Sequence, residues 1–278
     1  MTAALTVPGV GVHDLTDDEY FTGELARTSL SSTGVRELLV CPAKFRHNQQ
    51  HPRPPKRTFD VGHAAHQLVL GAGPELVVIE AEEWRSKAVK EEVEAVRARG
   101  AVPLRPSDWL AVVEMAKALT SHPLAPKLLT RGQPEKTLIW RDEKTDVLCR
   151  AKADYLRADG IVDYKTCDRA DTDSLTRTVH GWGYYAQAAW YLRGMWAALP
   201  RVSTDVPFFA FVAQEKDAPY LVHVFQLSDR ALTYGDRRCD EALEKYRDCV
   251  AADEWPGYPC DDITEIDLPG WVRTEEYS

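Results

Sequence analysis

The stretch from Pro134 to Leu199 constrains the fold more than any other part of the sequence. PEKTLIWRD, VLCRAKADYLR and GIVDYKTC are three strand-like runs, separated by polar turns at Asp142 to Asp146 and at Asp159-Gly160. Turns this short join neighbouring antiparallel strands, so the spacing predicts a meander. HGWGYYAQAAWYLRGMWAAL follows at once and predicts a single helix of about twenty residues. Beyond Pro200, VPFFAFVAQ and YLVHVFQLS read as two more strands around a turn at Asp217 to Pro219, and a closing helix runs from Asp229 to Ala252. Upstream, Ser31 or Ser32 can cap a helix carrying Val35, Leu38 and Leu39 that stops at Cys41-Pro42. Further helices are expected over Phe59 to Leu70, Ser86 to Arg99 and Ser107 to Leu119, with ELVVIE as a short strand between the first two. This order predicts an α/β fold: a mixed central sheet with an antiparallel meander and flanking helices. Residues 1–28 read as a tail or a surface strap, with structure starting near Leu30 and a single domain over 29–278.

Composition narrows the functional classes. Hydrophobic residues make up 44% of the 278 and charged residues 28%, which favours neither disorder nor a membrane class. No window approaches ~18 uninterrupted apolar residues. The first twenty residues lack a basic stretch ahead of an apolar run, so a cytoplasmic chain without membrane partners is expected. A net charge of −9 argues against coating a polyanion through bulk charge. Local charge differs: Lys44, Arg46, Arg53, Lys56 and Arg57 fall between Cys41 and Phe59 with no acidic residue among them. That run is either a solvated linker or a phosphate-facing strip. The cysteines Cys41, Cys149, Cys167, Cys239, Cys249 and Cys260 form no CxxC pair, and reduced thiols are expected. The last three are ten and eleven residues apart, too sparse for the close ligand pairs of an iron–sulfur cluster, which is not expected.

Asp163 and Lys165 in VDYKT are two apart on a strand and so point to one side of the sheet. Asp154, on the preceding strand, lies across from them if Asp159-Gly160 makes a hairpin. Two carboxylates and a lysine converging at a sheet end would hold Mg²⁺ and leave an ammonium near an attacked phosphate. The plainer alternative is two surface ion pairs. A D-x-K triplet alone means little, since Asp142-Glu143-Lys144 is another, but that one sits in a polar turn with no apolar flank. His66, one turn after Gly62, is a further candidate ligand, although a lone histidine is more often a hydrogen-bonded core residue; Gly9 and His13 repeat the spacing in an irregular region. Glu135 could add a carboxylate at the start of the meander. Gln187 and Tyr191, one helical turn apart, could reach one nucleotide, in a helix otherwise aromatic enough to be core. Phosphate-loop, nucleophile-elbow, HExxH and paired-cysteine motifs are all absent.

Taken in order, LSSTGVRELLVCPAKF, VGHAAHQLVLG, CRAKADYL, VDYKT and YYAQAAWYL resemble the PD-(D/E)xK nucleases of the RecB and RecE group, and the RecE-type phage exonuclease domain most nearly. The resemblance runs from residue 28 into the WPGY motif at Trp255 to Tyr258. It implies a restriction-endonuclease-like core in which His66, Asp154, Asp163 and the backbone carbonyl of Tyr164 bind the metal. It further implies Lys165 as the catalytic lysine, Glu135 as the additional acid, and Gln187 and Tyr191 as a DNA-binding QxxxY pair. The expected activity is Mg²⁺-dependent digestion of linear double-stranded DNA, 5′ to 3′, with Mn²⁺ as an alternative ion. The overhangs left would serve phage-type recombination with a single-strand annealing protein, and a ring-shaped homo-oligomer, such as a tetramer, is implied. Two other readings stay open: a single-strand-preferring exonuclease of the CRISPR-associated type, and a catalytically silent DNA-binding adaptor of the same fold.

Overall fold

The computed structural model describes residues 7–51, 61–199, 206–259 and 261–268. The chain opens with β1 (Gly11–His13), α1 (Asp17–Phe21), α2 (Glu24–Thr28) and the two-residue β2 (Leu30–Ser31). Regular structure therefore begins well before Leu30, where the sequence suggested it would start. A strand of three residues carries no periodicity of its own and forms here because Gly11, Val12 and His13 pair antiparallel with Ile139, Leu138 and Thr137. Next come α3 (Ser32–Val40) and α4 (Pro42–Gln50). Ser31 caps α3 by accepting from the Gly34 N–H at 3.2 Å. The helix ends at Val40 as expected, yet the chain turns straight into another helix, because proline at a first helical position gives up an N–H that would have no partner anyway. Lys44 and Arg46 are thus helical residues rather than part of a linker, while Arg53, Lys56 and Arg57 lie outside the described residues.

A lobe follows, made of α5 (Val61–Leu70), β3 (Leu76–Val78), α6 (Lys87–Ala98), β4 (Val102–Leu104), α7 (Pro106–Ser121) and α8 (Ala125–Leu128). The parallel β3–β4 pair is a separate two-stranded sheet. Its second strand was not legible in the sequence, since Pro103 at its centre cannot donate to a ladder and reads as a breaker. Ile79, Val93, Val96 and Ala101 give this lobe its own small core.

The meander then runs through β5 (Gly132–Arg141), β6 (Leu148–Arg157) and β7 (Gly160–Cys167), all antiparallel. Helices α9 (Thr172–Trp182) and α10 (Tyr184–Ala198) carry the chain across to β8 (Phe208–Glu215), which pairs with β7 in parallel, as a helical crossover permits. The expected single helix from His180 to Leu199 is corrected: helix starts at Thr172, capped by Asp171, and breaks at Gly183. Gly183 adopts φ +65°, closing α9 through its N–H to the His180 and Val179 carbonyls and serving as the first cap of α10. Strand β9 (Val222–Phe225) and α11 (Asp229–Ala252) complete the fold.

The main sheet has the order β1-β5-β6-β7-β8-β9, with β2 parallel beside β6. One core joins Leu38, Leu138, Trp140, Trp190, Phe211 and Leu243 from α3, α10, α11 and the sheet. A second joins Ala65, Met115, Leu119, Val162 and Val212 from α5, α7 and the sheet. Trp190 is fully buried, and its indole N–H donates to the Arg150 carbonyl at 3.0 Å, so its polar atom is satisfied. Cys41, Cys149, Cys239 and Cys249 are buried free thiols, Cys167 is half-buried, and Cys260 lies outside the described residues. Among the described residues no helix is long and apolar enough to cross a membrane.

Candidate active site

Strands β6 and β7 pair only at Tyr155↔Val162 and Leu156↔Ile161, next to their turn. Asp154 and Asp163 would be the following pair, so both sit where the strands part. The Tyr164 N–H, beyond the last β6–β7 pair, donates to Asp154 Oδ2 at 2.8 Å, which satisfies the backbone and fixes the carboxylate. The Asp163 side chain is 1% exposed. Its Oδ1 accepts from Gln187 Nε2 at 2.7 Å, and its Oδ2 meets Lys165 Nζ at 2.6 Å as an ion pair outside hydrogen-bond geometry. Lys165 keeps a quarter of its side chain exposed.

His66 on α5 reaches the same point from the other lobe, with Nε2 3.3 Å from Asp154 Oδ2 and Nδ1 3.7 Å from Glu135 Oε1. One donor atom each from His66, Glu135 and Asp154 lies within 4.8 Å of the others. Glu135 has φ +55°, a left-handed conformation costly for a residue with a side chain. It falls between the pairs Pro134↔Tyr155 and Lys136↔Ala153, at the position facing Asp154, so the local distortion of β5 coincides with the site.

The structure adds Lys152, which the sequence reading did not single out. Its Nζ stands 3.2 Å from Glu135 Oε2 and also forms an ion pair with Asp17 of α1. A signal was present: in RAKAD, Arg150, Lys152 and Asp154 alternate with alanines and so share one face of β6. Arg150 is buried and donates to the carbonyl and hydroxyl of Ser29, both at 2.8 Å.

Electrostatically the site holds crowded negative charge. Burial raises the Glu135 carboxyl and the Asp154 charge adds to that, against His66 and Lys152. Burial also pushes Asp163 up to about 6, despite the pull of Lys165. Burial opposes charge on Lys165, but Asp163 and Asp154 outweigh it and hold the ammonium firmly protonated. For His66, burial is likewise outweighed by Asp154 and Glu135, and the imidazole titrates above its ordinary range. Asp154 sits below its ordinary range because His66, Lys165 and the Tyr164 N–H overcome its burial. An imidazole nitrogen and two converging carboxylates, from His66, Glu135 and Asp154, make a donor set that suits a divalent cation, while Asp163, held by Lys165 and Gln187, lies outside that close group.

The remaining candidates fall in different places. Gln187 and Tyr191 are one turn apart on α10; Gln187 holds Asp163, and the buried Tyr191 donates to the Lys152 carbonyl at 2.9 Å. Lys44 donates to the Tyr258 hydroxyl at 2.8 Å, and the Arg46 guanidinium lies 4.9 Å from the Trp255 ring centre, so both pack on the WPGY segment. Neither lines the cleft of about 1250 Å³ that opens over His66, Glu135, Lys152 and Asp154. The rival triplet is a turn tip: Asp142 Oδ2 accepts from the Lys144 and Thr145 N–H groups at 3.2 and 2.9 Å. His13, the rival histidine, bonds the Gly9 carbonyl at 2.8 Å within its own segment.

These contacts separate two roles for Gln187 and Tyr191. As positioning residues, Gln187→Ala should cut turnover by about tenfold or more with DNA affinity unchanged, and Tyr191→Phe should cost about 1 kcal/mol of stability for one lost hydrogen bond. As DNA contacts, both would weaken binding at unchanged turnover. Fluorescence anisotropy with labelled DNA, set beside initial rates, distinguishes the two.

Residues 31–269 match the family described as a PDDEXK-like domain of unknown function (DUF3799). No curated protein sequence matches the chain. The crystal structure of a candidate exonuclease from Eubacterium rectale is similar in fold, with a TM-score of 0.58 over 92% of this chain and 97% of that one at 13% identity. The mixed sheet with its antiparallel meander and helices on both faces is the architecture expected of that group. With most of its length matched by the family and its sheet built on the same plan, the chain belongs to the PDDEXK-like domains of the PD-(D/E)xK nuclease fold.

Proposed function

We propose that this chain is a divalent-cation-dependent deoxyribonuclease that degrades linear double-stranded DNA from its ends. The observation that carries the reading is the convergence of His66, Glu135 and Asp154 on an open cleft where β6 and β7 part, with the Asp163–Lys165 ion pair on β7 beside Asp154. His66, Asp154, Asp163 and the Tyr164 carbonyl would hold Mg²⁺ or Mn²⁺, with Glu135 beside them. When bound, the ion supplies Lewis acidity toward a phosphodiester oxygen and makes water a better nucleophile. The protein's own groups do the rest. Lys165, kept protonated by its carboxylate neighbours and a quarter exposed, places a fixed positive charge where negative charge develops on the phosphate. The Tyr164 N–H and Gln187 fix the two aspartates, so the site needs little rearrangement during reaction.

A largely buried lysine held beside carboxylates has no use in a silent adaptor, which favours the enzyme reading. The end-dependent, 5′-to-3′ activity, the ring-shaped homo-oligomer and the annealing partner are supported by the sequence resemblance to RecE-type exonucleases. The test is digestion of end-labelled linear and closed circular DNA, single- and double-stranded, with and without Mg²⁺. Linear duplex should shorten only with the cation, and closed circles should persist. Cutting of circles at the same rate as linear duplex would overturn the exonuclease assignment, preference for single strands would favour the CRISPR-associated type, and cation-independent cutting would overturn the metal site.

A further inference from the structure

Residues before Ser31 lie ahead of the family match, yet they reach the site. Strand β1 is pinned to β5, and Asp14 forms an ion pair with Lys136 of that strand. A capping box then fixes the start of α1: the Thr16 N–H donates to Glu19 Oε2 at 2.8 Å, and the Glu19 N–H to the Thr16 hydroxyl at 3.3 Å. Tyr20 is buried with its ring centre 5.2 Å from the Arg150 guanidinium. Held at these points, α1 brings Asp17 onto Lys152, whose side chain is only 11% exposed. Lys152 in turn faces Glu135 at 3.2 Å, and Glu135 faces His66.

We propose that Asp17 is a positioning residue of the cation site, dividing the Lys152 ammonium between two carboxylates so that Glu135 stays available to a divalent ion. The inference rests on reading His66, Glu135 and Asp154 as that site. An ammonium beside Glu135 acts against a bound cation in two ways: it competes for the carboxylate oxygen, and it repels the second positive charge. Asp17 offsets both. Without Asp17, Lys152 has Glu135 as its sole carboxylate partner among these groups, and the ion should bind less well. Without Lys152 the competition disappears, the ion should bind better, and the identity of residue 17 should then matter little.

Calorimetric titration of the DNA-free full chain with Mn²⁺ reads these signs directly. Asp17→Asn should weaken binding by about fivefold, the upper scale of a partly exposed ion pair, and Lys152→Gln should strengthen it by a similar factor. The double variant should follow Lys152→Gln, a non-additivity that a general loss of structure does not produce. Asp18→Asn, on the same helix without an ion pair to Lys152, should bind as the unaltered chain does, and melting curves without metal check that each variant is folded. Asp154→Asn separates the two levels of the reading. If it abolishes binding while Asp17→Asn and Lys152→Gln leave the affinity unchanged, the role of Asp17 is wrong and the cation site stands. If it binds Mn²⁺ normally, both are wrong.

Discussion

Asp163→Asn and Lys165→Ala are each expected to slow DNA cleavage by about a thousandfold or more while leaving the secondary structure and DNA affinity in place. Neither residue needs to contribute to substrate binding for this to hold. Asp163 is a buried oxygen donor oriented by Gln187, and Lys165 is the charged group closest to it that remains open to solvent. The two variants should differ in stability. Burial pushes the Asp163 carboxyl up to about 6, so its ionised form opposes folding above that pH, and the opposition is relieved as pH falls through 6 toward the unfolded carboxyl's range. Asn removes that buried charge but leaves the Lys165 ammonium with Asp154 as its remaining carboxylate neighbour, and the metal-free Asp163→Asn protein should lose less stability at neutral pH than Lys165→Ala does. Lys165→Ala strands a buried carboxylate without its counter-charge and should lower stability by roughly 1–3 kcal/mol. Asp142→Asn has the same sequence spacing in a hairpin tip and should cleave normally. Activity within about tenfold of the unaltered chain for either site variant, or a defect in Asp142→Asn, would show that the wrong triplet has been chosen.

What could be read from the sequence was what local chemistry decides. The meander followed from polar turns between apolar runs, and the pairing of Asp163 with Lys165 from the two-residue period of a strand. The closing helix from Asp229 to Ala252 needed only its own periodicity and cap. What could not be read depends on partners distant in the chain. Strand β1 exists through residues 137–139, and Lys152 gains its meaning from Asp17, 135 residues away. The break at Gly183 was hidden because an isolated glycine inside a helical pattern can be tolerated without ending the helix. Glu135 was visible as a carboxylate, but not its left-handed backbone, which reflects the strand it faces. Gln187 and Tyr191 show the same limit: spacing put them on one face, and only the packing of α10 on the sheet reveals that they hold Asp163 and β6.

The packing of α10 also allows the fold to be tested through one hydrogen atom. Gly235 lies in α11 where that helix crosses the start of α10, and a methyl group there would stand 2.0 Å from the Tyr185 carbonyl oxygen and 2.5 Å from its carbon. Backbone atoms cannot rotate aside as a side-chain tip can, so the helices would have to separate. One turn later Cys239, with its thiol on the Ala186 carbonyl at 3.5 Å, depends on the same approach. Two effects of Gly235→Ala oppose each other. Alanine favours an isolated helix over glycine by about 1 kcal/mol, while overpacking a close contact costs typically 1–3 kcal/mol and sometimes more. A clash against backbone at this distance belongs at the upper end, and a net loss of about 2 kcal/mol, or a melting temperature lower by roughly 4–8 °C, is expected. Because Gln187 sits two residues beyond Tyr185, the folded fraction should also cleave more slowly as the hold on Asp163 loosens. Gly257→Ala, where a methyl group meets nothing within 4 Å, should melt as the unaltered chain does. A Gly235→Ala protein that melts higher would mean that helix propensity outweighs the contact, and that α10 and α11 do not approach as closely as their cores require.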